Sequence, residues 1–559
     1  MKWEVEKHIH DTCHELYQLD LNIDITRPDE QFGDFSTNVA LQLAKKLQKA
    51  PRDIADEIAN FLRNSNDEKY KDVTIAGPGF INIKLQDHVL FESLSLDLQK
   101  SLTGKKIVVE YSDPNPFKVL HAGHLYTTVV GDVITRILET AGAEVHRLNY
   151  GGDVGLHVGK TMWAIVNTFG GEYPEKLDEI NDKERPEWLS DQYVKGNIAY
   201  EVDESAKNAI RDMNKRIYEV HSSNDHDTNI ARIYWNCRDW SYEGFNDLYK
   251  QLQVHEFERY VTESEVTPIG LELVNKGVNE GVFVNSDGAV VFEGEEHGLH
   301  TRVFINSEGL PTYEAKELGL AALKWQDYGF DLGIIITAND IVEYMKVVLQ
   351  SLKHFYPEIV DRSKHFTHGM IKLPGGKKMS SRKGNILRAS DIIQEASKAN
   401  KLLNDQENMD TVLGAIKYAF LKNRIGGDII YDPEQSVSLE GNSGPYLQYS
   451  HARAKSILSK SEFSKELELE TIDLEKDERS LIRKISEFSE VFDASVVELL
   501  PHNICTYLYE LAQNFNYFYE HNRVIGEQRE QIRIYCIDQY AETLKKGLGL
   551  LGIVAPDRM

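Results

Sequence analysis

Cysteine is scarce: four in 559 residues, at Cys13, Cys237, Cys505 and Cys536, with no C-x-x-C pair. So scattered a set argues against a disulfide framework and against a structural zinc, and no metal site is expected. Long hydrophobic runs are missing too. No apolar stretch approaches the ~20 residues that span a bilayer. The opening MKWEVEKHIHD is charged and amphipathic, unlike a secretory leader. A cytoplasmic protein with no membrane association is predicted. There is no fixed-period repeat and no low-complexity tract. Positive charge is outnumbered, 63 Lys and Arg against 89 Asp and Glu, giving a formal net charge of −26. That sum speaks against a nucleic-acid binder, but the distribution of charge decides binding. From Arg362 to Ser390 there are eight Lys or Arg and no Asp or Glu. One face of an acidic protein can therefore be strongly positive.

What is present is ordinary globular composition, 41% hydrophobic and 10% aromatic, in a length that suits about three to four domains. Residues 1–100 read as a small α+β unit. Amphipathic helical patterns flank Gly33-Asp34-Phe35-Ser36-Thr37-Asn38, and VTIAGPGFINIKL gives two strand-like runs around the turn Gly77-Pro78-Gly79. From 104 to 435 strands alternate with helices, as in a parallel α/β sheet. Within that span, residues 165–265 are charged and aromatic without clear alternation and read as an insertion. The stretch from Gly281 to Tyr313 is hairpin-like, with turns at Asp287-Gly288 and Glu308-Gly309. From 436 to 559 strand signals fade and amphipathic helical patterns dominate, predicting a helical bundle.

The chemistry concentrates in IVVEYSDPNPFKVLHAGHLYTTVVGDVITRILETAG, from Ile107 to Gly142. An apolar β-branched run leads through a loop with Pro114 and Pro116 into His121-Ala122-Gly123-His124, which opens a periodic segment capped by Gly142. Two histidines at a helix N-terminus suit a phosphate. Alone they read rather as a pair of capping or metal-ligating histidines. A second stretch changes the balance. Lys377 to Asn385, KKMSSRKGN, is a glycine-flanked loop with lysine, serine and arginine, able to close over a triphosphate.

Together these motifs resemble a family. HAGH is similar to the HIGH signature of class I aminoacyl-tRNA synthetases, and Lys378-Met379-Ser380-Ser381-Arg382 to their KMSKS loop at 377–385. EYSDPNPFKVLHAGHL, NYGGDVGLHVG, Pro311-Thr312-Tyr313, GNSGPYLQYSHAR, GDFSTNVA, AGPGFINIKL and the terminal LLGIVAPDRM look like arginyl-tRNA synthetases over nearly the whole chain. The resemblance implies a Rossmann-type parallel-sheet catalytic domain, an N-terminal α+β domain on the tRNA elbow, and an all-helical C-terminal anticodon-binding bundle. It implies a monomeric ligase that joins L-arginine to tRNA(Arg) through an arginyl-adenylate, using ATP with Mg2+, and that needs tRNA for activation. A cysteine-specific synthetase would want a zinc cluster; a simple nucleotidyltransferase would not need the helical C-terminus.

The resemblance assigns His121, His124, Lys378 and Lys118 to catalysis, and His121, Gly123, His124, Lys378, Met379 and Ser380 to ATP. Around arginine it puts Glu110, Asp113, Asn115, His124, Tyr313, Glu317 and Asp340; these include the carboxylates and the aromatic face that a guanidinium favours. Asn38, Tyr517 and Arg523 are the candidates for tRNA. Departures from the family pattern are Ser381 for the second lysine of the loop, Glu317 for the usual Asp, Asp340 for a Gln, and Val154 and His157 for Trp and Gln. Lys118, Arg382 or Lys383 could stand in for the missing lysine.

Overall fold

The computed structural model describes residues 1–65, 68–94, 98–376, 387–405, 407–461 and 473–559. The chain begins with an antiparallel sheet of β1 (Ile25–Thr26), β2 (Phe35–Thr37), β3 (Tyr70–Ala76) and β4 (Phe80–Leu85), in the order β1-β2-β4-β3. Helices Lys2–Tyr17, Val39–Leu47 and Pro51–Asn64 accompany it. Pro51 sets the break between the second and third, since it lacks the N–H a continuing helix needs but fits a first turn. The third helix buries Ile54, Ala55, Ile58, Ala59 and Leu62, one stripe at helical spacing.

The centre is a five-stranded, fully parallel sheet: β5 (Lys106–Glu110), β6 (Glu144–Gly151), β7 (Arg259–Thr262), then β11 (Leu332–Ala338) and β12 (Ser363–His368). Between β7 and β11 a small antiparallel sheet is formed by β8 (Val284–Ser286), β9 (Ala289–Phe292) and β10 (Arg302–Ile305). In space the parallel order is β7-β6-β5-β11-β12. Counted along the chain that is 3-2-1-4-5, the doubly wound order, whose switch point lies between β5 and β11. Ile107, Val108 and Val109 are all buried, as a central strand covered on both faces requires. The HAGH helix (Ala122–Thr140) returns against this sheet. At Gly131 a Cβ would lie 2.2 Å from the Tyr111 ring, so only glycine lets the helix pass that close to the exit of β5.

Residues 165–265 are largely helical, with long helices at Arg185–Val202, Glu204–Ser222 and Asn229–Gln251. Their last part differs from the sequence expectation: β7, inside the segment read as an insertion, is the edge strand of the parallel sheet. Four residues, two of them buried, are too short to display a period. The C-terminal part is helical: Gly444–Leu458, Lys476–Ser486, Phe488–Glu498, His502–His521 and Glu530–Leu550. No helix among the described residues is long and apolar enough to cross a membrane.

The two ends of the chain are pinned to each other. Arg479, on a C-terminal helix, donates from Nη1 and Nη2 to Asp34 (3.0 and 2.8 Å), from Nε to Asp87 (2.9 Å) and from Nη2 to Leu85 O (2.8 Å). All three charged groups are buried. Arg27 adds a fork onto Glu490, and Arg483 donates to Pro28 O at 2.6 Å. Asp34 therefore serves an interdomain contact, held where Gly33 (φ +121) lets the chain press against Ile83 O.

Candidate active site

The strand ends on either side of the switch point carry most of the chemically active side chains. Glu110 ends β5, Asp153 follows β6, Glu263 follows β7, Asp340 follows β11 and His368 ends β12. The loop after β5 is strained. Ser112, Asp113 and Phe117 have φ of +75, +50 and +67, a region that costs non-glycine residues about 1–3 kcal/mol where the surroundings impose it. Asp113 Oδ1 accepts from Tyr150 N–H, and Asn115 Oδ1 from Gly152 N–H, each at 2.8 Å. Ser112 Oγ lies 2.7 Å from both Tyr249 Oη and Thr128 Oγ1. Phe117 N–H donates to Ser241 Oγ at 2.9 Å. These bonds tie the loop to β6, to the HAGH helix and to the Asn229–Gln251 helix, and offset the strain.

The HAGH motif is a capping box built from imidazoles. Gly123 N–H donates to His121 Nδ1 at 3.1 Å, and His121 N–H donates to His124 Nδ1 at 3.2 Å. A backbone N–H can only donate, so both Nδ1 atoms are bare. Each neutral ring then carries its proton on Nε2. The rings stack with centroids 3.8 Å apart. Burial, then Lys118, lowers the His121 pKa; burial, then His121, holds His124 well below the usual imidazole range. The helix N-terminus thus presents two neutral N–H donors with fixed tautomers. Gly123 fixes His121 through its amide.

The chain returns to this motif just after the basic loop. Ala122 N–H donates to Leu387 O (2.8 Å) and Ala389 N–H to Leu120 O (3.0 Å), bridging His121 to Arg388. Lys378, Met379 and Ser380, with Ser381, Arg382 and Lys383, lie outside the described residues. Lys118, three residues before His121, sits over the Tyr193 ring at 4.7 Å, its pKa lowered by burial and then by Lys160.

A second, acidic group occupies the same crevice. Glu110 is buried and ion-paired with Lys324; Glu263 is buried and ion-paired with Lys316. Glu317 and Asp113 add two more carboxylates, so four acids face two lysines. Burial, then the Glu110 charge, raises Glu317 to about 8 and Asp113 well above the carboxylate range. Such a set is short of positive charge, and a cation would supply it. Tyr313 opens the Tyr313–Tyr328 helix, 56% exposed, with Lys316 Nζ 5.4 Å from its ring. Gly152 brings the groups together: a Cβ there would meet Asn115 Oδ1 at 2.6 Å and Glu263 Oε1 at 2.7 Å.

The structure thus brings together Glu110, Asp113 and Glu317 on one side and His121, Gly123 and His124 on the other. Asp340 lies exposed in a short turn after β11, where its charge acts on His121 and His368. Asn38 caps the Val39–Leu47 helix in the N-terminal sheet domain, its Oδ1 accepting from Gln42 Nε2 at 2.9 Å. Tyr517 is 55% exposed and stacks on His521, and Arg523 is exposed beside Glu527. Sequence reasoning missed Glu263, Lys316, Lys324 and His368. Glu263 and His368 had a weak signal, a polar residue directly at the end of a short β-branched or aromatic run. The two lysines had none, since a buried lysine on a helix looks like a solvated one until its partner is known.

Comparison with known proteins agrees with this fold. The family profile described as tRNA synthetases class I (R), catalytic domain, matches residues 87–432. Arginyl tRNA synthetase N terminal domain matches 3–85, and DALR anticodon binding domain 447–559. An arginine–tRNA ligase of Cutibacterium acnes is 31% identical over 564 aligned residues, covering 96% of each chain. One of Crocosphaera subtropica is 31% identical, over 98% of this chain and 96% of its own. Among solved structures, Thermus thermophilus arginyl-tRNA synthetase superposes with a TM-score of 0.79 at 22% identity over 100% of both chains. The Plasmodium falciparum enzyme gives 0.79 at 21%, over 100% of this chain and 98% of that one. With an acid-rich cluster beside paired imidazole donors at the switch point of a doubly wound sheet, and with matches over almost its full length, the chain belongs to the arginyl-tRNA synthetase family, class I ligases that charge tRNA with arginine.

Proposed function

We propose how this arginine–tRNA ligase divides its work among its residues. The observation that carries the proposal is the pairing, in one crevice, of two neutral imidazole N–H donors with an acid-rich pocket. ATP, taken as its magnesium complex, lies along the HAGH helix N-terminus. His121 and His124 donate from Nε2 to its phosphate oxygens, with the Gly123 turn beneath them. Lys378, Met379 and Ser380 are given to the triphosphate by the family motif. Lys118, beside the histidines, supplies the second positive charge that Ser381 cannot. Arginine enters with its guanidinium toward Glu317 and the Tyr313 face. Glu110 and Asp113 provide the surrounding field, Asn115 an amide, and His124 a contact shared with the carboxylate end. Asp340 forms the wall between the two substrates. The arginine carboxylate attacks the α-phosphate in line, the α–β phosphoanhydride bond breaks and pyrophosphate leaves, and catalysis is positioning plus stabilisation of charge on the phosphorus oxygens. A hydroxyl of the terminal ribose of tRNA then attacks the arginyl carbonyl of the resulting adenylate, the mixed anhydride breaks, and AMP leaves as the arginyl ester forms.

The substrates, tRNA(Arg), arginine and ATP, support a cytoplasmic setting, and a monomer is the assembly proposed. The units divide at about residues 100 and 435, with the tRNA elbow on the first, through Asn38. The anticodon rests on the last, through Tyr517 and Arg523. A C-terminal cleft lined by Tyr449, Arg453, Lys455, Lys460, Tyr519 and Arg558, with one carboxylate at Asp557, supports that docking, because exposed aromatics among cations suit unpaired bases. Its cations imply a steep loss of tRNA affinity with salt, about three orders of magnitude between 50 and 200 mM if some six phosphates are neutralised. A titration by fluorescence anisotropy checks this, and a flat response contradicts it.

The pocket assignment is tested by Glu317→Gln. Arginine KM is expected to rise roughly 10–100-fold, the range for a lost charge-assisted contact, with ATP KM unchanged. The pH dependence gives a second readout. Below a pKa of about 8 the Glu317 carboxyl is largely neutral and attracts the guanidinium less. Wild-type arginine KM therefore falls as pH rises through 8, and E317Q loses that dependence. Equal changes in arginine and ATP KM would contradict the assignment.

A further inference from the structure

His368 has no part in the scheme above. It is the last residue of β12, paired in register with Ala338 at the carboxyl edge of the sheet, and 3% exposed. Its Nδ1 lies 2.7 Å from Gly369 O. A carbonyl oxygen can only accept, so Nδ1 carries a proton and donates. Burial lowers the ring's pKa, which leaves Nε2 bare. Among the described residues Nε2 has no hydrogen-bond partner. The ring is clamped by Tyr126, on the HAGH helix two residues past His124, in an edge-on contact at 4.7 Å. Its charge, when present, is felt by both His121 and His124, so the three imidazoles share one neighbourhood.

The three rings differ in one respect. His121 and His124 present N–H donors; His368 presents a lone pair. A lone pair cannot receive a phosphate oxygen. On ATP at neutral pH the groups that can donate to it are the ribose hydroxyls and the adenine amino group. We infer that His368 is a nucleotide-selecting residue, its Nε2 accepting a hydrogen bond from a donor on the nucleoside half of ATP. The inference rests on the reading of the His121–His124 crevice as the ATP site. It marks where the phosphate half of that site ends and the nucleoside half begins. A buried acceptor left without its donor costs binding, so the site rejects the analogue that lacks the matching group.

The test measures kcat/KM for ATP, 2′-deoxy-ATP, 3′-deoxy-ATP and purine riboside triphosphate, which lacks the amino group, in tRNA charging. Wild-type enzyme should reject one of the three by about tenfold or more relative to ATP. In H368F that discrimination should collapse toward one. In H368Q, whose Oε1 can take the place of Nε2, it should persist. Which analogue is rejected tells ribose from adenine as the donor. Arginine KM should be unchanged throughout. Three results overturn the inference: no analogue rejected by the wild type, which needs no variant to fold; discrimination intact in H368F; or equal losses for ATP and all analogues in H368F, the signature of a packing role. If His121→Ala leaves ATP kinetics unaltered, the ATP-site reading itself fails. If that variant is impaired and His368 is indifferent, only the present inference fails.

Discussion

His124→Ala is expected to lower kcat for charging about 10²–10³-fold, the usual loss when one preorganised donor to a developing oxyanion is removed. The reason lies in the tautomer. His124 Nδ1 is occupied by the His121 N–H, so Nε2–H is its only donor. Burial keeps the ring neutral. On the proposed assignment its contribution is a fixed dipole aimed at charge that grows only in the transition state, and ATP KM should change little. One competing explanation is that alanine merely uncaps the helix. His124→Asn separates the two. Its Oδ1 can replace Nδ1 as acceptor for His121 N–H, but nothing replaces Nε2–H. If asparagine restores the rate, the histidine is a cap. If asparagine is as poor as alanine, the donor role stands. Pyrophosphate exchange in the presence of tRNA reads the activation step directly.

Arg479→Ala is expected to destabilise the protein by about 3–5 kcal/mol, because it removes the cation from a buried pair and strands the charges it served. Asp34 and Asp87 both lose a donor, as does Leu85 O. Asp34 keeps its bond from Leu85 N–H (2.7 Å) and the Arg483 guanidinium at 3.6 Å, and Asp87 keeps Lys71 at 3.1 Å, so each carboxylate loses its closest cation without losing every partner. Lysine in place of Arg479 recovers little, since one ammonium cannot fork to two carboxylates. The double variant Asp34→Asn with Arg479→Met should be milder than either single change. Urea unfolding with a concentration-resolved midpoint measures this. An R479A midpoint within error of wild type would show that the ends of the chain are not held by this contact.

The contrast between these two residues shows what was legible in the sequence. The HAGH motif and its strand were readable because a buried central strand and a helix start leave local marks: a β-branched run, a polar loop, a periodic segment. The acid-rich side of the pocket was readable in part, through Glu110, Asp113 and Glu317. What escaped was long-range pairing. Lys324 neutralises Glu110 across 214 positions and Lys316 neutralises Glu263 across 53, and neither spacing leaves a local trace. Asp34 stood in a motif tied to the tRNA-elbow domain, yet its partner is 445 positions away. β7 was absorbed into the insertion because an edge strand of four residues shows no alternation. The exposed faces of the aromatic C-terminal helix were likewise undecided until packing sorted them. Phe515 and Phe518 are buried, Phe515 against Tyr540 at 4.0 Å, and Tyr517 faces outward.

The central claim is that an acid-rich pocket beside two neutral imidazole donors makes this chain charge tRNA with arginine. The most direct measurement offers purified enzyme bulk tRNA, ATP and magnesium with each labelled amino acid in turn. The predicted result is arginine alone in acid-precipitable tRNA, with the signal reduced in H124A and, at limiting arginine, in E317Q. Incorporation of a different amino acid, or no incorporation of arginine by enzyme that is folded and binds ATP, would contradict it.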